Sequence, residues 1–219
     1  MRFLKISLYV VLGVIIFSKN SYSERNLEVL LQEKLKISKD ISVYQIKLFG
    51  YIEETVYGNY SHLNKIVISN DKLKYKQEFN FEETNNIVDK NYGLVFEDYN
   101  FDGYLDISLK CCNGGDIHNE PRLFWIWNDK ENRFAENEEL SYLSSTGKVS
   151  VYKNKKLVEA YSCDIANHYQ SYFEWNNGKL ILREERYLYW KVDENEEEVK
   201  KYEVIKEYIN GILVKTTTR

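Results

Sequence analysis

The sequence predicts an all-β fold, an antiparallel two-sheet β-sandwich-like domain with a short N-terminal helix, and three observations carry that reading. From residue 41 onward, short runs rich in Val, Ile, Tyr, Phe and Trp alternate with Asn, Asp and Gly, the composition of strands and turns. Two of the breaks, Asn176-Asn177-Gly178 and Asn210-Gly211, carry residue types that tolerate positive φ in tight hairpins, so the strands they join are antiparallel. Pro121 is the one proline and no Ser/Gly-rich linker interrupts the chain, which leaves a single β-rich domain over residues 24–219.

Taken in order, the amino end holds Arg2 and Lys5, an apolar run over 6–17, and small residues at Ser21 and Ser23. The run is short for a bilayer span and reads as a secretory signal peptide, residues 1–23, cleaved after Ser23. The expected location is therefore the periplasm or the exterior. Leu27, Leu30, Leu31 and Leu35 then recur at helical spacing, predicting a short helix over 26–36. Strands are expected over 43–51, 65–69, 73–79, 94–97, 105–109 and 123–127. A second set follows over 149–152, 157–162, 169–175, 179–186, 187–192, 201–208 and 212–216. No internal repeat is present.

Charge narrows the partners. The net charge is −4, and removal of Arg2, Lys5 and Lys19 with the signal makes it more negative. No basic run interleaved with aromatics appears, which argues against nucleic acid. The densest charged block, residues 193–198, is acidic; it reads as a solvated loop or as a contact for a basic partner. Three cysteines remain, and an oxidising compartment predicts one disulfide, from Cys163 to Cys112 or to its neighbour Cys111. Adjacent strand residues point to opposite faces, so only one of that pair can face Cys163. Closing a loop of about 50 residues would stabilise by roughly 4 kcal/mol in the chain-entropy picture.

Trp125 and Trp127 share one face of their strand, and Phe124 and Ile126 share the other. They are expected to pack the core, the alternative being a platform on which tryptophans or exposed tyrosines stack against glycan. Carboxylates are abundant, yet no pair outside one loop is set apart by its spacing. No catalytic residue is assigned, and the chain is expected not to be an enzyme.

That one loop is Asp98-Tyr99-Asn100-Phe101-Asp102-Gly103-Tyr104-Leu105-Asp106, a DxNxDGxxD pattern. Side-chain oxygens recur at Asp98, Asn100, Asp102 and Asp106, Tyr104 offers its backbone carbonyl, and Gly103 permits the sharp turn. Carboxylates converging to about 4 Å without a cation would repel by roughly 4 kcal/mol per pair at an effective dielectric of about 20. The expected ligand is Ca2+. The twelfth position is Leu109 rather than Glu, and strands rather than helices flank the loop, so it is not an EF-hand.

Residues 97–107 containing this loop are followed by Leu123-Phe124-Trp125-Ile126-Trp127-Asn128, then by Arg133-Phe134-Ala135-Glu136-Asn137-Glu138-Glu139-Leu140. Further on come Tyr172-Phe173-Glu174-Trp175-Asn176-Asn177-Gly178-Lys179-Leu180 and Glu184. Across residues 92–186 this resembles a family of exported bacterial calcium-loop β-proteins. Its members include periplasmic inhibitors of invertebrate-type lysozyme and immunity proteins against peptidoglycan hydrolases. The resemblance implies a rigid antiparallel scaffold, a structural calcium ion, and a loop that plugs a glycosidase cleft; the partner would be a peptidoglycan hydrolase or lysozyme-like enzyme. Such inhibitors carry a Ser-Gly turn closely followed by Tyr. Here the stretch reads Ser162-Cys163-Asp164-Ile165-Ala166-Asn167-His168-Tyr169, with Ser162 matching, Cys163 in place of the glycine and the tyrosine displaced. Ser162 and Tyr169 are thereby the expected partner-binding residues, and a Cys163 disulfide would stiffen the segment. A calcium-dependent periplasmic glycan-binding module without catalysis is the alternative.

Overall fold

The apolar spacing that predicts a helix over 26–36 belongs instead to a strand, β1 (Glu28–Lys36), paired antiparallel with β2 (Val43–Thr55). The register slips between Val29 and Leu31, so Leu30 is an extra residue in the pairing. That bulge breaks the two-residue alternation and leaves Leu30, Leu31 and Leu35 at intervals that imitate a helix. Beyond it the alternation resumes: Leu35 and Ile37 are buried, facing the same core as Tyr44, Ile46 and Leu48 of β2.

The computed structural model describes residues 27–89, 91–111, 120–164, 166–192 and 199–219. The expected signal peptide, Cys112, Ile165 and the acidic run 193–198 lie outside the described residues. After β2 come β3 (Gly58–Asn70), a one-turn 3-10 segment (Asp71–Leu73), β4 (Tyr75–Asn80) and β5 (Asn86–Ile87). Next are β6 (Leu94–Glu97), β7 (Asp106–Lys110), β8 (Arg122–Asn128), β9 (Arg133–Glu136) and the helix α1 (Glu138–Thr146). The chain closes with β10 (Lys148–Tyr152), β11 (Leu157–Cys163), β12 (His168–Asn176), β13 (Lys179–Val192), β14 (Val199–Ile209) and β15 (Ile212–Thr218). Both turns predicted from Asn-Gly chemistry are hairpins, joining β12 to β13 and β14 to β15. Asn177, Gly178, Asn210 and Gly211 all have φ near +51° to +77°.

The strands form three sheets rather than two. One runs β1-β2-β3-β4 with β5 on the side of β3, one runs β6 to β9, and one runs β10 to β15, every neighbouring pair antiparallel. The four-stranded sheet lies between the other two. Leu94, Ile107, Leu109, Trp125, Trp127 and Phe134 on one of its faces share a core with Tyr44, Leu48, Leu63, Ile66 and Ile68 of the five-stranded sheet. From its other face, Phe124 and Ile126 join a second core with Leu140 of α1 and with Val158 and Phe173 of the six-stranded sheet. Trp125 and Trp127 are each 1 % exposed, which removes them as a glycan platform and assigns them to packing. A sandwich whose central sheet is covered on both faces needs the third sheet; pattern alone cannot say which strands share one.

Two local devices set this geometry. At Gly50, beside the register slip that follows Phe49, a Cβ would stand 2.0 Å from the carbonyl oxygen of His62, so only glycine lets β2 and β3 approach. α1 begins at Asn137, whose side chain accepts the N–H of Leu140 at 2.9 Å and satisfies one of the helix's open donors.

Candidate functional site

The Asp-rich loop connects β6 to β7 in the central sheet, and its side chains organise the turn from within. Both carboxylate oxygens of Asp98 accept backbone N–H groups, from Asp102 at 3.2 Å and from Gly103 at 3.0 Å. Asp102 Oδ1 accepts the N–H of Tyr104 at 2.9 Å, and the Asn100 amide donates to Asp102 Oδ2 at 2.7 Å. Gly103 sits at φ +91° with open space around it, the backbone state the turn requires. Asp98, Asn100 and Asp102 are thus brought together. The Asp102 carboxyl is held above its ordinary range, first by lost hydration and further by the charges of Asp98 and Asp129, against the pull of the Tyr104 N–H and the Asn100 amide.

Asp106 is placed differently. It is fully buried, and its oxygens accept the N–H of Tyr99 at 2.8 Å and the N–H of Trp127 at 2.8 Å. It therefore ties the start of the loop to β8. Burial pushes its carboxyl up to about 8, with Asp102 and Asp98 adding to the rise and the two N–H bonds opposing it. Among the described residues, no group of three or more His, Cys, Asp or Glu is gathered so as to hold a metal ion. The converging donors are two carboxylates and one amide, with the Tyr104 carbonyl as the fourth expected oxygen. These are hard oxygen donors of the kind calcium takes, so the turn fits such an ion in donor chemistry, with Asp106 bonded to backbone on both oxygens.

Tyr99 is the loop's anchor, a role its sequence context did not reveal. Its ring meets Phe124 edge-on at 4.9 Å, its hydroxyl contacts Ser108 Oγ at 2.9 Å, and its carbonyl accepts Trp175 Nε1 at 2.7 Å. That last bond links the loop to β12 and so to the six-stranded sheet.

Ser162 and Tyr169 occupy the β11–β12 hairpin, where they are direct cross-strand partners. The tip between them is stiffened by Asp164, whose Oδ1 accepts the N–H of Ala166 at 2.9 Å and of Asn167 at 2.7 Å. Those bonds, with the Asn167 amide the largest contributor, hold the Asp164 carboxyl below its usual range. The Tyr187 hydroxyl reaches Asn167 Oδ1 at 3.3 Å. Cys163 stands as a free thiol opposite His168, and its expected disulfide partner Cys112 lies outside the described residues. Asp164 and the hairpin pairing stiffen the tip.

Tyr169 also begins a row of rings. It stacks on Tyr187 at 4.7 Å, Tyr187 on Tyr189 at 4.9 Å, and Tyr189 on Tyr202 at 5.4 Å, with planes within 22° of parallel. The row crosses β12, β13 and β14 on the face that, further along, packs Val158 and Phe173 into the core. Sequence reasoning missed it because its members lie on three strands; the signal available was Tyr187-x-Tyr189 alone.

No protein-family model matches the chain, and no curated protein matches it. The fold is similar to the solved structure of a Xanthomonas type IV secretion system related protein, with a TM-score of 0.60 and 14% identity. The match covers 88% of this chain and 99% of that one. At that identity the likeness establishes the fold alone: an antiparallel, mostly β architecture.

Proposed function

We propose that the protein is an exported inhibitor or immunity factor directed at a peptidoglycan hydrolase, with the β11–β12 hairpin as the inserting element. The observation that carries this reading is the pairing of Ser162 with Tyr169 beside a turn already fixed by Asp164. A plug gains affinity when its segment is ordered before binding, because ordering it on contact would cost free energy. Tyr169 is 42 % exposed and braced by Tyr187, giving a rigid aromatic of the type that dominates protein interfaces. The signal-like segment 1–23 supports export, and the secretion-system description of the structurally similar Xanthomonas protein is in keeping with a role at the cell envelope. Blocking requires no catalytic group.

Calcium enters this reading as a strut. Held by Asp98, Asn100, Asp102 and the Tyr104 carbonyl, with Asp106 beneath, it would neutralise the turn and fix the edge of the central sheet. At free calcium ten times its Kd it would add about 1.4 kcal/mol to folding, a stiffening increment rather than a switch. The test is co-purification from the native host followed by a hydrolase assay. A captured wall hydrolase that is inhibited by the parent and released by Tyr169→Ala supports the reading. Capture of no hydrolase, or equal inhibition by parent and variant, overturns it.

A further inference from the structure

The outer face of the six-stranded sheet, turned away from both cores, holds a cleft of about 640 Å³ that the inhibitor reading does not use. Two β-bulges fall at this cleft. In β13, Tyr172 pairs with Glu184 and Phe173 with Leu182, leaving Arg183 as an extra residue. In β15, Glu207 pairs with Lys215 and Tyr208 with Leu213, leaving Val214 as an extra residue. Both Arg183 and Val214 line the cleft. Bulges bend the strand that carries them and re-aim one side chain, and they recur beside binding sites for that reason.

We propose that this cleft binds a neutral saccharide. Apart from Lys155, which also lines it, the charges of the cleft come as pairs: Arg183 with Glu174 at 3.4 Å, Arg186 with Glu184 at 2.5 Å, and Lys215, outside the lining, beside the lining residue Glu207 at 2.7 Å. At these pairs an anionic ligand would have to displace a carboxylate from a guanidinium, and a cationic one would have to displace the guanidinium. A polyol displaces neither. Each arginine uses its Nε in these pairs, and each carboxylate keeps acceptor capacity, so both donors and acceptors are at hand for sugar hydroxyls. Tyr152 and Tyr172 add aromatic surface, their rings 6.0 Å apart and nearly edge to face, with the Arg186 guanidinium 5.6 Å above Tyr172. Beneath them the buried Glu159 accepts the Tyr152 hydroxyl at 3.2 Å and the Gln170 amide at 3.1 Å, which fixes the ring before any ligand arrives.

The site lies on the opposite face from Tyr169, since Glu159 pairs with Tyr172 whereas Val158, Phe173 and Tyr169 face the core side. Saccharide binding and hydrolase inhibition therefore fail separately. The experiment is an NMR titration of the full mature chain with N-acetylglucosamine tetramer and with cellotetraose. Saturable shifts at Tyr152, Tyr172 and Arg183 are expected, with affinity lowered at least about tenfold in Tyr172→Ala and in Arg183→Ala, and unchanged in Tyr169→Ala and in EDTA. No saturable binding of either oligosaccharide by the parent overturns the proposal. So does binding that Tyr172→Phe, Tyr172→Ala and Arg183→Ala, each verified as folded, leave intact, or binding that Tyr169→Ala abolishes.

Discussion

Asp102 and Asp106 lie four residues apart in one motif and have different physical jobs. Asp102 is exposed and bonded within the turn, so Asp102→Ala removes one of the proposed calcium donors without opening the core. Its melting temperature in calcium should fall, and most of the difference between calcium and EDTA should vanish. Equal calcium shifts in parent and variant, measured by thermal unfolding, would refute the ligand assignment. Asp106→Ala should destabilise with or without calcium, because the N–H groups of Tyr99 and Trp127 lose a buried acceptor at about 1–3 kcal/mol each. Denaturant unfolding in EDTA reads this directly, and a parent-like midpoint there would show that Asp106 acts through the ion alone. The DxNxDGxxD spacing made all four oxygen-bearing residues legible. It could not reveal that the last one points into the protein, because its partner Trp127 lies on another strand.

At the scale of elements, the β11–β12 hairpin carries the pH dependence most relevant to the proposed inhibitor role. Asp164 has a folded-state carboxyl held below its ordinary value, so its contribution is complete above the unfolded value of 3.8 and is lost as pH falls through the folded one. Because Asp164 is solvent-exposed, the effect should be local. Protection factors at Ala166 and Asn167, exchange taken relative to unstructured peptide at the same pH, should fall on acidification below the usual carboxylate range. A loss of protection that persists equally in Asp164→Asn would point to another cause. α1 offers a second element-level measurement: Asn137→Ala should cost about 1 kcal/mol through loss of the bond to the Leu140 N–H. Elements were readable where their chemistry was local. Asn177-Gly178 and Asn210-Gly211 announced their hairpins because positive φ is a property of those residues themselves. β1 was misread because Leu30 is extra only relative to β2, a fact of pairing rather than of spacing. α1 went unread although Asn137, Glu138 and Glu139 open it, since nine residues of weak amphipathicity resemble a loop between strands.

For the whole molecule, the central four-stranded sheet decides how stability is distributed. Trp125, Trp127 and Phe134 cover one of its faces and Phe124 the other, so neither flanking sheet can leave without exposing a hydrophobic face of the sheet that carries the Asp-rich loop. Trp127→Ala should accordingly cost about 3–5 kcal/mol and lower one shared transition rather than split it. The six-stranded sheet has a different fate along its length. Near α1 it is pinned by Val158 and Phe173, whereas β15 exposes Ile212, Leu213 and Val214 at 69%, 49% and 53% and, among the described strands, pairs with β14 alone. Local opening is easiest where few apolar contacts are lost. Hydrogen exchange should therefore rank β15 and the adjoining end of β14 as the fastest of the strands, and β7 and β8 as the slowest, opening only with the whole domain. Uniform protection across β8 and β15 would mean that the projecting sheet is held by contacts beyond those within this chain, and would turn attention from the hairpin tip at Tyr169 to the β14–β15 edge as the surface a partner covers.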